Sequence, residues 1–377
     1  MTRPVVVTGV GLVSSLGEGA GVHAAALAGK VPPVVDAERF APYPVHPAAA
    51  LPWDTQIPKK ADQRQMEPWQ KLGVYAAGLA LRDAGLADDP DARSRIQLIV
   101  AAGGGERDYA ADGVILTGLR DAADPGAFLN ERLLGDLRPT LFLAQLSNLL
   151  AGNIAIVHGI TGASRTFMGE EMAGADALRI AAARIAAGQA DTLLVGGAFN
   201  AERPDSLLIY GLGGHLLTGP FRPVRERAGP GRGFVLGSAA AFLVLESRDG
   251  AARRGARPLA EIATVATART PDRPGSVRAV LERLWGDVGA GPDATVLSGV
   301  TGVAGRTDEE LDAWAALAPG GRVVTVGDLL GHPMEAVAPF GTALAAGLVG
   351  SGRVGDAVVS TVGHRRGAGL VRLAAAG

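Results

Sequence analysis

The chain has 377 residues and a formal net charge of −2, with 47% hydrophobic and 20% charged residues. Such a length carries two ordinary domains or one large duplicated one with a sizeable core, and the near-neutral balance offers nucleic acid no basic surface to bind. There is no cysteine, which excludes disulfides, thiolate metal sites and thiol nucleophiles.

In chain order, the apolar opening is too short for a signal sequence or a membrane span, so a cytoplasmic protein without membrane insertion is expected. Short β-branched runs predict strands at 5–8, 98–102, 192–195 and 240–245, with helices at 69–84 and 173–187 between them. The second helix is apolar almost all round, as a helix buried on several sides must be. Two charged, Pro-rich segments, 31–60 with Trp53 and 104–140 with Tyr109 and Phe128, read as insertions that cover a pocket or build an oligomer contact. The stretch SRDGAARRGARP at 247–258 is the best candidate boundary, placing one half at 1–247 and another at 257–377. After it the alternation resumes, with strands predicted at 259–265, 294–297, 322–326 and 357–361 and helices at 277–285, 308–317 and 335–349. Similar grammar in both halves predicts a duplicated α/β fold.

Gly9 and Gly11 after the first predicted strand invite comparison with a dinucleotide fingerprint. Ser14 stands at the third glycine position, and no strand ending in Asp or Glu follows at the required distance, so this reading is disfavoured. The six histidines are scattered without ligand spacing, so neither a metal nor a cofactor is expected.

Five separated stretches carry a resemblance: VVVTGVGLVSSLG (5–17), NLLAGNIAIVHGITGAS (148–164), GQADTLLVGGAFN (188–200), GRGFVLGSAAAFLVLES (231–247) and GDLLGHPMEAVAPFG (327–341). In order and spacing they resemble the β-ketoacyl-acyl-carrier-protein synthases across essentially the whole chain. The resemblance implies a thiolase-like duplicated fold, two α/β halves in an αβαβα layering. It also implies what a condensing site needs: a cysteine at the tip of a buried helix, two histidines and an oxyanion hole.

Matching Gly174 to the family's glycine three residues after the nucleophile puts Glu171 at the cysteine position. Either Glu170 and Glu171 cap the helix and complement its dipole, or Glu171 fills the nucleophile's place in a retired pocket, as glutamine does in chain-length factors. The first family histidine is gone, since no histidine lies between His215 and His332. The second survives as His332, with Gly327 where a lysine is usual. The family's phenylalanine gate is replaced by a charged turn holding His364, and Ser238 replaces a glutamate. Thr166, Ser298 and His364 are the expected pocket residues; a hydroxyl nucleophile there would need His332 as its base.

These substitutions imply a catalytically degenerate ketosynthase-like subunit in fatty-acid or polyketide-type biosynthesis. Its expected partners are acyl carrier protein and a cysteine-bearing ketosynthase, in a heterodimer whose acyl chain length it shapes, or a second copy in a homodimer. The resemblance places 149–160 and the following strand at the two-fold interface. The alternatives are a residual carrier-protein-dependent activity through His332, malonyl decarboxylation or acyl transfer, or plain binding of acyl chain or carrier protein. Arg203, Arg222, Arg225 and Arg227 near the pocket mouth read as a solvated face.

Overall fold

The computed structural model of the protein describes residues 2–137, 141, 145–227, 229, 231–271 and 273–377; residues 138–140, the end of the second expected insertion, lie outside the described residues. The long strands are β1 (Val5–Ser14), β2 (Gln97–Ala101), β3 (Ser164–Phe167), β4 (Thr192–Phe199) and β5 (Ala239–Ser247), then β6 (Ala260–Ala268), β7 (Thr295–Ser298), β8 (Val323–Thr325), β9 (Asp356–Val362) and β10 (Ala368–Ala374). The helices that build the layers are α1 (Pro68–Asp83), α2 (Leu149–His158), α3 (Glu171–Ala186), α4 (Ser276–Val288), α5 (Arg306–Leu317) and α6 (Val337–Gly350).

The 11-stranded sheet runs β8-β7-β9-β10-β6-β1-β5-β4-β2-β3, with the short Gly17–Glu18 strand hairpinned onto β1. The duplication is visible in this order. The first half reads β3-β2-β4-β5-β1 and the second β8-β7-β9-β10-β6, and the pattern of parallel and antiparallel pairs is the same in both. Among the described residues the strands of the two halves pair only where Val6 and Val7 of β1 meet Glu261 and Ala260 of β6. Helices α3 and α6 touch strands of both halves and form the central layer, whereas α1 packs on β1, β4 and β5, and α4 on β6 and β10. The expected layered α/β fold is therefore the observed one.

Side-chain size explains this layering. A helix between two sheets keeps little solvent face, and α3 accordingly buries Ala173, Ala175, Ala177, Leu178, Ala181 and Ile185. The two central helices approach closely at Gly174, where a Cβ would stand 2.6 Å from the Pro339 ring. On the outer side α1 starts at a capping box, with Glu67 and Gln70 satisfying each other's backbone N–H groups and Pro68 in the first turn.

The apolar patterning missed β10 and also β3, the strand that the resemblance placed after 149–160, and β1 extends six residues beyond Thr8. Gly9 and Gly11 do not end the strand. They lie inside it, because α1 crosses directly above: a Cβ on Gly9 would stand 2.5 Å from the Ala80 carbonyl oxygen, and one on Gly11 2.0 Å from that of Ala76. Close helix–strand packing, rather than a phosphate, explains this glycine pair. In the expected insertions, 104–140 contributes the helices Tyr109–Asp121 and Pro125–Asp136, and Trp53 packs edge-on against Tyr75. No helix among the described residues is long and apolar enough to cross a membrane.

Gly11→Ala should therefore be costly. Overpacking of this kind costs roughly 1–3 kcal/mol or more, and backbone rather than a flexible side chain is the obstacle, so a clear fall in the urea midpoint is expected; an unchanged midpoint would contradict the close contact.

Candidate functional site

Helix α3 begins at a sharp backbone turn. Gly169 has φ 136° and Glu170 φ 57°, the latter a conformation that residues with a side chain seldom hold. The turn projects Glu171 from the helix tip into the interior, where it is only 2% exposed. Its Oε1 accepts three hydrogen bonds: from His364 Nδ1 at 2.7 Å, from the His364 backbone N–H at 3.0 Å and from His332 Nε2 at 3.1 Å. A carboxylate has no hydrogen to give, so ionised Glu171 makes an N–H donor of each of those ring nitrogens. No side chain caps α3; Glu171 turns to the second half of the fold instead of back onto its own helix.

Both imidazoles are held by backbone. His332 follows Gly331, at φ 76°; its N–H donates to the Val235 carbonyl at 2.7 Å, and its own carbonyl accepts from the Gly237 N–H at 3.2 Å. Gly237 has to be glycine here, since a Cβ would stand 1.8 Å from the Leu330 oxygen. His364 sits in the β9–β10 hairpin loop, which is closed by the Gly363 N–H on the Gly367 carbonyl at 3.1 Å and tied to Thr270 Oγ1 through the Gly367 N–H. The Phe234 ring packs against both, 5.2 Å from His332 and 5.5 Å from His364 between centroids, and His215 lies 4.9 Å from His364.

Burial by itself would raise the Glu171 carboxyl, but the hydrogen bonds and charge of His332 and His364 outweigh it and hold the group below the ordinary carboxylate range. Glu335, in the next turn of backbone after His332, goes the other way. Burial, with the nearby charges of Glu171 and Glu170, pushes it up to about 7 against the pull of Arg203. Ligand atoms of Glu170, Glu171 and His364 lie within 4.8 Å of one another, close enough for a cation. Such an ion would compete with the His364 Nδ1 hydrogen for Glu171.

Of the residues expected from sequence, Glu171, His332 and His364 thus converge on one oxygen. Thr166 lies half-buried on β3, and Ser298, at the end of β7, belongs to a separate buried cluster in which it and Ser360 donate to Glu310 Oε1 at 2.7 and 2.9 Å. Ser238 bonds Asn200 and the Ala201 N–H. The arginines are not one solvated face. Arg203 and Arg227 are buried, because each guanidinium is engaged inside, Arg203 on Asp205 and the Gly104 and Gly105 carbonyls, Arg227 on the Arg222 and Gly233 carbonyls. Glu335 and Glu310 were missed altogether. The signal for Glu335 was available, an acid heading the otherwise apolar run to Gly350.

Residues 2–251 match the family model for the beta-ketoacyl synthase N-terminal domain. The chain belongs to the β-ketoacyl synthase family. Among curated relatives, a 3-oxoacyl-[acyl-carrier-protein] synthase 2 of Vibrio cholerae is 29% identical over 69% of this chain and 62% of its own length. The tetracenomycin polyketide synthase ketoacyl synthase beta subunit of Streptomyces glaucescens is 32% identical over 67% of this chain and 60% of its own. The matches thus span about three-fifths of those relatives. Among solved structures, the ishigamide ketosynthase/chain length factor superposes with a TM-score of 0.81 at 22% identity, and a beta-ketoacyl synthase of Burkholderia phymatum with 0.79 at 20%, each over 100% of both chains. These share the fold. Within this family the chain is a cysteine-free member.

The Glu171 cluster has a pH signature. A carboxyl held below its ordinary value of 4.5 adds stability that is fully present above pH 4.5 and is lost as pH falls towards its folded-state value. Glu171→Gln should therefore flatten the acid limb of urea midpoint against pH below 4.5. His364→Ala, which removes the Nδ1 hydrogen bond from the buried Glu171 carboxylate and leaves the backbone N–H in place, should cost about 3 kcal/mol at pH 7. An acid limb identical in wild type and Glu171→Gln would show that the carboxylate is not so held.

Proposed function

We propose that this chain is a non-condensing subunit of a ketosynthase pair in fatty-acid or polyketide biosynthesis, bound to a cysteine-bearing homologue and shaping the chain that homologue extends on acyl carrier protein. One observation carries the reading: where a condensing site needs a thiolate, the buried Glu171 Oε1 is already engaged by three N–H groups. In this reading 1–247 and 257–377 are the halves of the duplication, and Glu171, His332 and His364, with Thr166, line what remains of the acyl site, while Ser298 is engaged in the Glu310 cluster.

The partner part draws on a free sheet edge. Among the described residues β3 pairs on one side only, with β2, and its Ser164 and Arg165 are exposed, as are Ile156 on the preceding helix and Met168 just beyond the strand. Exposed apolar side chains beside an unpaired edge suit a buried contact with a related subunit. The names of two similar proteins agree in kind, one a ketoacyl synthase beta subunit and one a ketosynthase/chain length factor. A third, a type II polyketide acyl-carrier protein in complex with its ketosynthase, shows a carrier protein on this fold.

Co-expression with a cysteine-bearing ketosynthase from the same genome should yield a stable heterodimer by size exclusion, and the pair, not this chain alone, should extend an acyl primer from malonyl carrier protein. Elongation by the isolated chain, or a ketosynthase indifferent to it, would end the proposal. Retention of His332 favours one enzymatic alternative, decarboxylation of malonyl carrier protein. Its Nε2 hydrogen is committed to Glu171, so malonyl carrier protein should survive incubation; release of acetyl carrier protein that disappears in His332→Ala would put an enzyme in place of the scaffold.

A further inference from the structure

Beside the Glu171 cluster lies a cavity of about 480 Å³ that none of Glu171, His332 and His364 lines. It opens between the loop after β2, the segment after β4 and the turn that carries Glu335, and its size is in the small-molecule range of roughly 300–1,000 Å³. Most polar groups in its wall are already satisfied. Arg203 binds Asp205 at 2.7 Å and the Gly104 and Gly105 carbonyls at 2.8 and 2.9 Å; Tyr109 donates to Asp205 at 2.7 Å; Asn200 donates to Glu106 at 3.0 Å; Arg107 pairs with Asp112.

Among the charged groups of the wall, Glu335 is the exception. It is 6% exposed and lines the cavity, and among the described residues its carboxyl receives a hydrogen bond only from its own backbone N–H. The fold makes room for it. A Cβ on Gly103 would stand 2.7 Å from its Oε1, and Cβ atoms on Gly174 and Gly197 would stand 2.4 and 3.0 Å from its backbone oxygen. Met334 before it is held at φ 42°. An acid so accommodated, with no counter-ion left over among the described residues of the wall, lacks a positive partner there.

The charges around it set the sign of that partner. Glu170 and Glu171 at the head of α3 add negative potential, and among the described residues both arginines of the wall are already paired, Arg203 with Asp205 and Arg107 with Asp112. The hydroxyl of Tyr210, also in the wall, stays protonated, pushed up by burial and by Glu335 itself. Its ring and those of Trp69 and Phe199 line the same space and suit a cation. We propose that this cavity binds an ammonium group, carried by a small primary amine or by the amino end of an acyl chain, and that the Glu335 carboxylate is its counter-ion. An uncharged alcohol of equal size would leave that carboxylate unpaired. This inference is independent of the partner reading.

The raised Glu335 carboxyl supplies the test. Protonated below about pH 7, it cannot pair with an ammonium group; ionised above, it can. A primary amine stays charged across this range, so its affinity should rise about tenfold between pH 6 and pH 8. Calorimetric titration of the full chain with n-butylamine and with n-butanol at both pH values decides the matter. The amine should bind and tighten by that factor, butanol should not bind, and Glu335→Gln should remove amine binding. Ile209→Trp, at an exposed position on the cavity rim, should also block the amine without touching the buried wall, and serves if Glu335→Gln fails to fold. Absence of amine binding, equal binding of butanol, an affinity indifferent to pH, or full binding in Glu335→Gln or Ile209→Trp would each overturn the proposal.

Discussion

One carboxylate oxygen ties together parts of the chain separated by 161 and 193 residues. Glu171 Oε1 draws His332 and His364 onto the tip of α3, joining the central helix of the first half to the turn before α6 and to the β9–β10 hairpin of the second. A buried charge is tolerable only when its lone pairs are matched, and here three N–H groups match one oxygen. The arrangement therefore constrains the Gly331 turn, the Gly363–Gly367 hairpin loop and the strained Glu170 together. None of the three can move without stranding the charge.

That constraint also limits the chemistry. The same helix tip that would lower a thiol's pKa holds an acceptor already engaged by its neighbours, and the imidazole that would stabilise developing negative charge is turned towards a permanent one. In the proposed reading the site has exchanged reactivity for a fixed contact between halves. Glu335 shows the opposite balance a few ångströms of packing away: a buried acid against Gly103, without a donor from another residue among those described, and so held closer to neutrality. Two carboxyls in one layer thus differ because one has imidazoles and the other has a cavity.

Small residues make both possible. Gly174 and Gly197 let the turn carrying Glu335 lie against α3 and β4, while Gly9 and Gly11 let α1 lie on β1. The 54 glycines of the sequence are therefore in part a packing requirement of a layered molecule whose central helices are largely buried.

Much of this was legible in one dimension. The absence of cysteine and the repeated strand–helix grammar follow from residue type and local period, because a missing thiol or a 3.6-residue pattern needs no partner to be recognised, whereas the acid at the helix tip and the surviving His332 were placed by the family resemblance. What depended on a distant partner was not legible. Gly9 and Gly11 looked like the end of a strand until α1 lay over them; the edge strand β3, polar and short, had no period to read; Arg203 looked like a surface cation until Asp205 and two carbonyls enclosed it. His364 met Glu171, and Glu335 met an open cavity, only through tertiary packing. Sequence alone determined which groups were present and which chemistry was absent; folding decided which of those groups were satisfied, since a hydrogen bond across some 190 residues leaves no trace in local pattern.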